Sequence, residues 1–117
     1  METNLVNQHL IGKSYAEIVD HLEFDEDCGG CCGYASIEEV TGVPSGTDTS
    51  KLTLKNCVEI CYSDSYNDRV VLNFVFTDGE GELILGYELN ASSGSGWSYG
   101  AYAKIIHENE VLAAVSW

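Results

Sequence analysis

The sequence predicts an α+β fold: one or two short N-terminal helices followed by an antiparallel sheet of about five strands. Three observations carry this expectation. Apolar residues recur at helical spacing only near the N-terminus. From Lys51 onward they alternate with polar ones. The alternating runs are separated by turn-forming residues, not by helix-length segments. The 117 residues fit a single domain, 1–117, made of a polar arm (1–9), a helical part (12–42) and an antiparallel β part (51–117).

The elements follow in chain order. Ser14 and Glu17 form a capping box, and Tyr15, Ile18, Val19 and Leu22 share one helical face, with His21 on the solvated side. Phe24 to Gly33 reads as a glycine-rich acidic loop. A second capping box, Ser36 with Glu39, predicts a short helix carrying Ile37 and Val40 and stopping at Gly42. Val43 to Ser50 reads as loop and holds the only proline. In the β part, Val58, Ile60 and Tyr62 face one side, and Cys57, Glu59 and Cys61 the other. Ser63 to Asp68 is a turn. Val70, Leu72, Phe74 and Phe76 then share a face. Asp78-Gly79 signals a hairpin, answered by Leu83, Leu85, Tyr87 and Leu89. Asn90 to Gly96 is a flexible link before Trp97, Tyr99, Ala101, Ala103 and Ile105, and His107 to Glu110 turns the chain into the last strand, Val111 to Trp117.

Charge narrows the function more than any motif. Five basic residues stand against 19 acidic ones, a formal net charge of −14. That balance argues against direct binding of nucleic acid or anionic membrane, which needs Lys and Arg against phosphate. No apolar run approaches the roughly 20 residues that span a bilayer, and Met1 to Leu10 does not read as a signal peptide.

The five cysteines suit a reducing cytoplasm and free thiols. Cys28, Cys31, Cys57 and Cys61 suggest a zinc site by their spacing. However, Cys57 and Cys61 lie in a strand-like run, where residues four apart are roughly 13 Å from each other, too far to share one tetrahedral ion. A thiol nucleophile at Cys31 or Cys32 has no histidine placed beside it by any signature. Asp25-x-Asp27-x-Gly29 fails the calcium-loop pattern at two ligand positions. The Gly-rich stretch before Trp97 has strands on both sides and lacks the helix or Lys of a phosphate cradle; Trp97, Tyr99 and Tyr102 could stack on a base or simply pack. No hydrolase, metalloprotease or Walker motif occurs, so neither catalysis nor a cofactor is expected.

The carboxylates cluster: Glu23, Asp25, Glu26 and Asp27; Asp64 and Asp68; Asp78, Glu80 and Glu82; Glu108 and Glu110. Alternate strand residues lie roughly 7 Å apart, so such rows can imitate the charge of a nucleic-acid backbone. The first three clusters are the expected contacts to a basic protein surface. The plainer reading is a solvated acidic face.

Three stretches carry a resemblance: Leu10-Ile-Gly-Lys13, then Asp27-Cys-Gly-Gly-Cys-Cys-Gly-Tyr34, then Leu89 through Asn90-Ala-Ser-Ser-Gly-Ser-Gly-Trp-Ser-Tyr-Gly-Ala to Tyr102. Together they resemble small acidic phage and prophage proteins of uncharacterised function, which share an Asp-Cys-Cys motif and a late Ser/Gly/Tyr-rich hairpin. The Gly-Gly between Cys28 and Cys31 and the Ser-Gly before Trp97 depart from that pattern. The resemblance implies a mobile-element origin and action inside a bacterial cell. The expectation is then a non-enzymatic inhibitor of a host defence or other nucleic-acid-handling complex, of anti-CRISPR or anti-restriction type, acting by acidic mimicry. Two alternatives stay open. One is a sponge for a cyclic nucleotide signal, for which five basic residues are few and the loop with Gly29, Gly30 and Gly33 would have to supply backbone donors. The other is an assembly protein that forms homo-oligomers through strand edges such as Val111–Trp117.

Overall fold

The computed structural model describes residues 2–27, 34–63, 67–92 and 101–116. It is dominated by antiparallel sheet. Eight strands are β1 (Glu2–Leu5), β2 (Leu22–Asp27), β3 (Tyr34–Thr41), β4 (Thr53–Ser63), β5 (Asn67–Thr77), β6 (Glu82–Ser92), β7 (Tyr102–His107) and β8 (Glu110–Ser116); one short helix, α1, spans Tyr15–Val19. They form a five-stranded sheet in the order β1-β4-β5-β6-β3 and a three-stranded sheet in the order β2-β7-β8. No helix among the described residues is long and apolar enough to cross a membrane.

The expected β part is present from β4 onward, and the hairpin forms where Asp78-Gly79 signals it. Thr77 pairs with Glu82 around a loop in which Gly79 adopts φ 95°. Asp78 accepts hydrogen bonds from the Glu80 and Gly81 amides, at 2.8 and 3.0 Å. These contacts hold its carboxyl below the usual range. The capping box at Ser14 is also real: the Glu17 amide donates to Ser14 Oγ at 3.2 Å. The helix behind it is five residues long, too short to hold itself, and Ile18 fixes it by being fully buried.

Four expectations for the N-terminal half are corrected. The polar arm contains β1, which pairs with the edge of β4, Thr3 opposite Ile60. The acidic loop is strand β2 as far as Asp27, pairing with β7. The helix expected after Ser36 is strand β3, pairing with β6 from Tyr34↔Ser92 to Thr41↔Gly86. Hence the described residues of 12–42 are mostly strand and not helix, and eight strands are described where about five were expected. At the other edges, Asn67, Asp68 and Asn90–Ser92 belong to strands and not to connecting turns.

The core lies between the sheets. One face of β5 buries Val70, Leu72, Phe74 and Phe76. Beside it β6 buries Leu85, Leu89 and Ala91, and the three-stranded sheet answers with Ala103, Ile105, Leu112, Ala113 and Val115. These residues read as alternating in the sequence because each strand has one face in the core. A bulge between Leu54 and Asn56 lets Leu54 and Cys57, three apart, bury on the same side.

Candidate interaction surface

Strand β2 sits at one edge of the small sheet. Its Leu22 packs on the core and its Phe24 ring lies 5.1 Å from Tyr87, so the alternate residues Glu23, Asp25 and Asp27 face away from the core. Across the ladder they meet Ile106, Lys104 and Tyr102. The Tyr102 hydroxyl lies 3.4 Å from both carboxylate oxygens of Asp25 and donates toward them. The negative charge of Asp25, joined by that of Asp27, raises the phenol above its ordinary value. Lys104 Nζ lies 4.8 Å over the Tyr102 ring. The face thus presents three carboxylates against one ammonium. Glu26 is exposed on the opposite side of the same strand, opposite Ala103.

The other expected contacts lie elsewhere. Glu82, five residues along β6 from Tyr87, is about 17 Å away along the strand and is ion-paired with Lys55. Asp78 is spent on capping the hairpin turn, and Glu80 is exposed beside it. Asp68, opposite Ala91, lies about 33 Å from Asp78 along β5. These separations exceed the roughly 8–10 Å over which exposed charges act on each other in physiological salt. The eight described carboxylates among the expected contacts therefore do not gather into one surface. Glu23, Asp25 and Asp27 share a face, and the hairpin tip and Asp68 lie at opposite ends of β5. Asp64 lies outside the described residues.

Of the four cysteines at zinc-like spacing, Cys57 and Cys61 are described. Cys57 is buried and Cys61 half-buried, both free and on the same face of β4. Burial pushes each thiol up to about 11. Cys61 Sγ donates to Glu59 at 3.2 Å. Among the described residues no group of three or more His, Cys, Asp and Glu could hold a metal ion. Cys28, Cys31 and Cys32, the glycines between and after them, and Trp97 and Tyr99 lie outside the described residues.

Reading the sequence missed a cleft of about 250 Å³ lined by His9, Leu10, Lys13, His107, Glu108 and Glu110. His9 Nε2 meets Glu110 at 2.7 Å, and Lys13 lies 3.9 Å from Glu17. His107, 4% exposed, bonds the Glu17 carbonyl at 2.9 Å; a carbonyl only accepts, so Nε2 is the protonated nitrogen. The His21 ring stands edge-on to His107 at 6.2 Å. No sequence spacing links positions 9, 21 and 107, so only the fold brings the three histidines to one end of the molecule. The turn closing this cleft places Glu108 and Asn109 at φ 48° and 71°, a left-handed pair suited to a tight hairpin.

Comparison with protein-family models, with curated proteins and with solved structures finds no match.

Proposed function

We propose that the protein is a non-catalytic binding protein that docks on the basic surface of a nucleic-acid-handling complex, its carboxylates standing in for a nucleic-acid backbone. The observation that carries this reading is the row Glu23, Asp25 and Asp27 on the outward side of an edge strand. Its charges recur about every 6.7 Å, two nucleotide rises of a single strand. A net charge of −14 adds long-range attraction to any basic groove. Cytoplasmic action in a bacterial host, against a defence complex, belongs to the same proposal and rests on the sequence resemblance.

The same charges also blunt an exposed strand edge against pairing with other chains. Mimicry asks more of them than that. The capture of a cyclic nucleotide gains less support: the cleft falls below the roughly 300–1,000 Å³ of ordinary ligand pockets, and its one lysine, Lys13, already faces Glu17.

The test is a pull-down from bacterial lysate at low salt, with bound proteins identified by mass. It is repeated at high salt, with added duplex DNA or RNA, and with the triple variant Glu23→Gln, Asp25→Asn, Asp27→Asn. Mimicry expects a nucleic-acid-binding complex that is released by salt, displaced by nucleic acid and not captured by the folded variant. Capture that ignores both competitor and variant, or no capture at all, overturns it.

A further inference from the structure

The five-stranded sheet has two faces, and only one meets the core. On the other, β4 presents Val58 and Ile60, β5 presents Val71 and Val75, β6 presents Ile84 and the edge strand β1 presents Leu5. Register places them side by side, Leu5↔Val58, Ile60↔Val71 and Val75↔Ile84. None belongs to the core cluster or packs on it, and Leu5 and Ile84 are 65% and 42% exposed. A sheet with one solvated face alternates apolar-in with polar-out. Here the outward positions at the middle of the three central strands are mostly β-branched and apolar, with Asn73 between Val58 and Gly86 and polar residues toward the strand ends. Among the described residues, nothing covers them.

We infer that this face is the contact surface for a second copy of the chain, two five-stranded sheets packing face to face. Area supports it. Each strand residue covers about 16 Å² of sheet, and strands of 4, 8 and, three times over, 11 residues present about 700 Å². A pair buries on the order of 1,400 Å² in total, within the range of stable interfaces. Charge also supports it. The carboxylates on this face are Glu82 and Glu38 at its margin and Glu88 beside Val71, where it accepts from Asn90 at 2.8 Å. Glu82 is neutralised by Lys55, and the Arg69 guanidinium lies 4.0 Å from the centre of the Tyr62 ring. With three carboxylates against Lys55 and Arg69, the face carries a net −1 in a chain of −14, so a second copy meets little repulsion there. It is also poorly suited to the basic partner proposed above. Flat faces of Val and Ile pack on one another as sandwich cores do, about 10 Å apart.

Sedimentation equilibrium of the full chain tests this, at protein concentrations from about 1 to about 200 µM, where a contact of this size is populated. The expected result is a species of twice 12.7 kDa whose population rises with salt, because salt screens two like-charged chains. Ile60→Thr with Val71→Thr keeps strand propensity and should weaken association at least tenfold, with unchanged circular dichroism; Val75→Thr serves if that pair fails to fold. A monomer throughout overturns the inference and leaves the face to another kind of partner. So does a dimer that dissociates in high salt or ignores the substitutions. The inference is independent of mimicry, whose complex salt weakens.

Discussion

Neighbouring residues on β5 give a sharp test of the two-faced sheet. Leu72 is fully buried between the sheets, and Val71 points to the uncovered side. Leu72→Ala removes three carbons from a closed core and leaves a cavity, which costs about 3 kcal/mol. Val71→Ala removes two carbons from a partly open face, costing under about 1 kcal/mol. Unfolding entropy of about 2.1 cal/mol/K per residue gives about 0.25 kcal/mol/K over 117 residues. The melting temperature should then fall by about 12 °C for Leu72→Ala and by less than about 4 °C for Val71→Ala. Thermal unfolding followed by circular dichroism at low micromolar protein keeps self-association out of the comparison. Equal losses, or a larger loss for Val71→Ala, would refute the argument. Side chains alternate with period two, so such a result means a one-residue slip of β5 that turns every residue over.

Other outcomes follow from named contacts. Ser14→Ala removes the cap of α1 and should cost about 1 kcal/mol, a fall of about 4 °C in the same assay. Asp78 has a lowered folded pKa, so its contribution is present above the unfolded value of 3.8 and is lost as pH falls through the lower folded value; Asp78→Asn should flatten the dependence of melting temperature on pH below about 4. Cys57, raised by burial to about 11, should resist alkylation at neutral pH in the folded protein and react in denaturant, as read by peptide mass; rapid labelling in native buffer contradicts its placement. The raised value also means that its thiol contributes stability below pH 9, lost as pH climbs toward 11.

Much of the β part was legible because burial leaves a period-two trace. Val70, Leu72, Phe74 and Phe76 all reach the core together, and the Asp78 hairpin and the Ser14 cap rest on contacts within a few residues. The N-terminal strands leave no such trace. Glu2–Leu5 is short and polar, and it is a strand because the edge of β4 offers it hydrogen bonds. Leu22–Asp27 is acidic on both sides, and β7, about 80 residues later, makes it a strand. Ser36 to Val40 carries a genuine helix signal, outweighed by pairing with β6; Ser36 Oγ, freed from capping, is buried with no hydrogen-bond partner among the described residues. For the acidic site, the sequence located the carboxylates but not their company. Rows along one strand are readable, whereas the distance between Asp68 and Asp78, or the convergence of His9, His21 and His107, depends on strand order.

The pairing of β2 with β7 also bears on how the chain is made. At roughly 5–20 residues per second, synthesis from Asp27 to Tyr102 takes about 4–15 s, and through that interval β2 has no partner in its own sheet. An unpaired strand on a ribosome crowded with nascent chains invites mispairing. With carboxylates at Glu23, Asp25, Glu26 and Asp27, this strand repels every other copy of itself while it waits. The charges offered above to a basic partner thus also disfavour pairing between copies of the waiting strand.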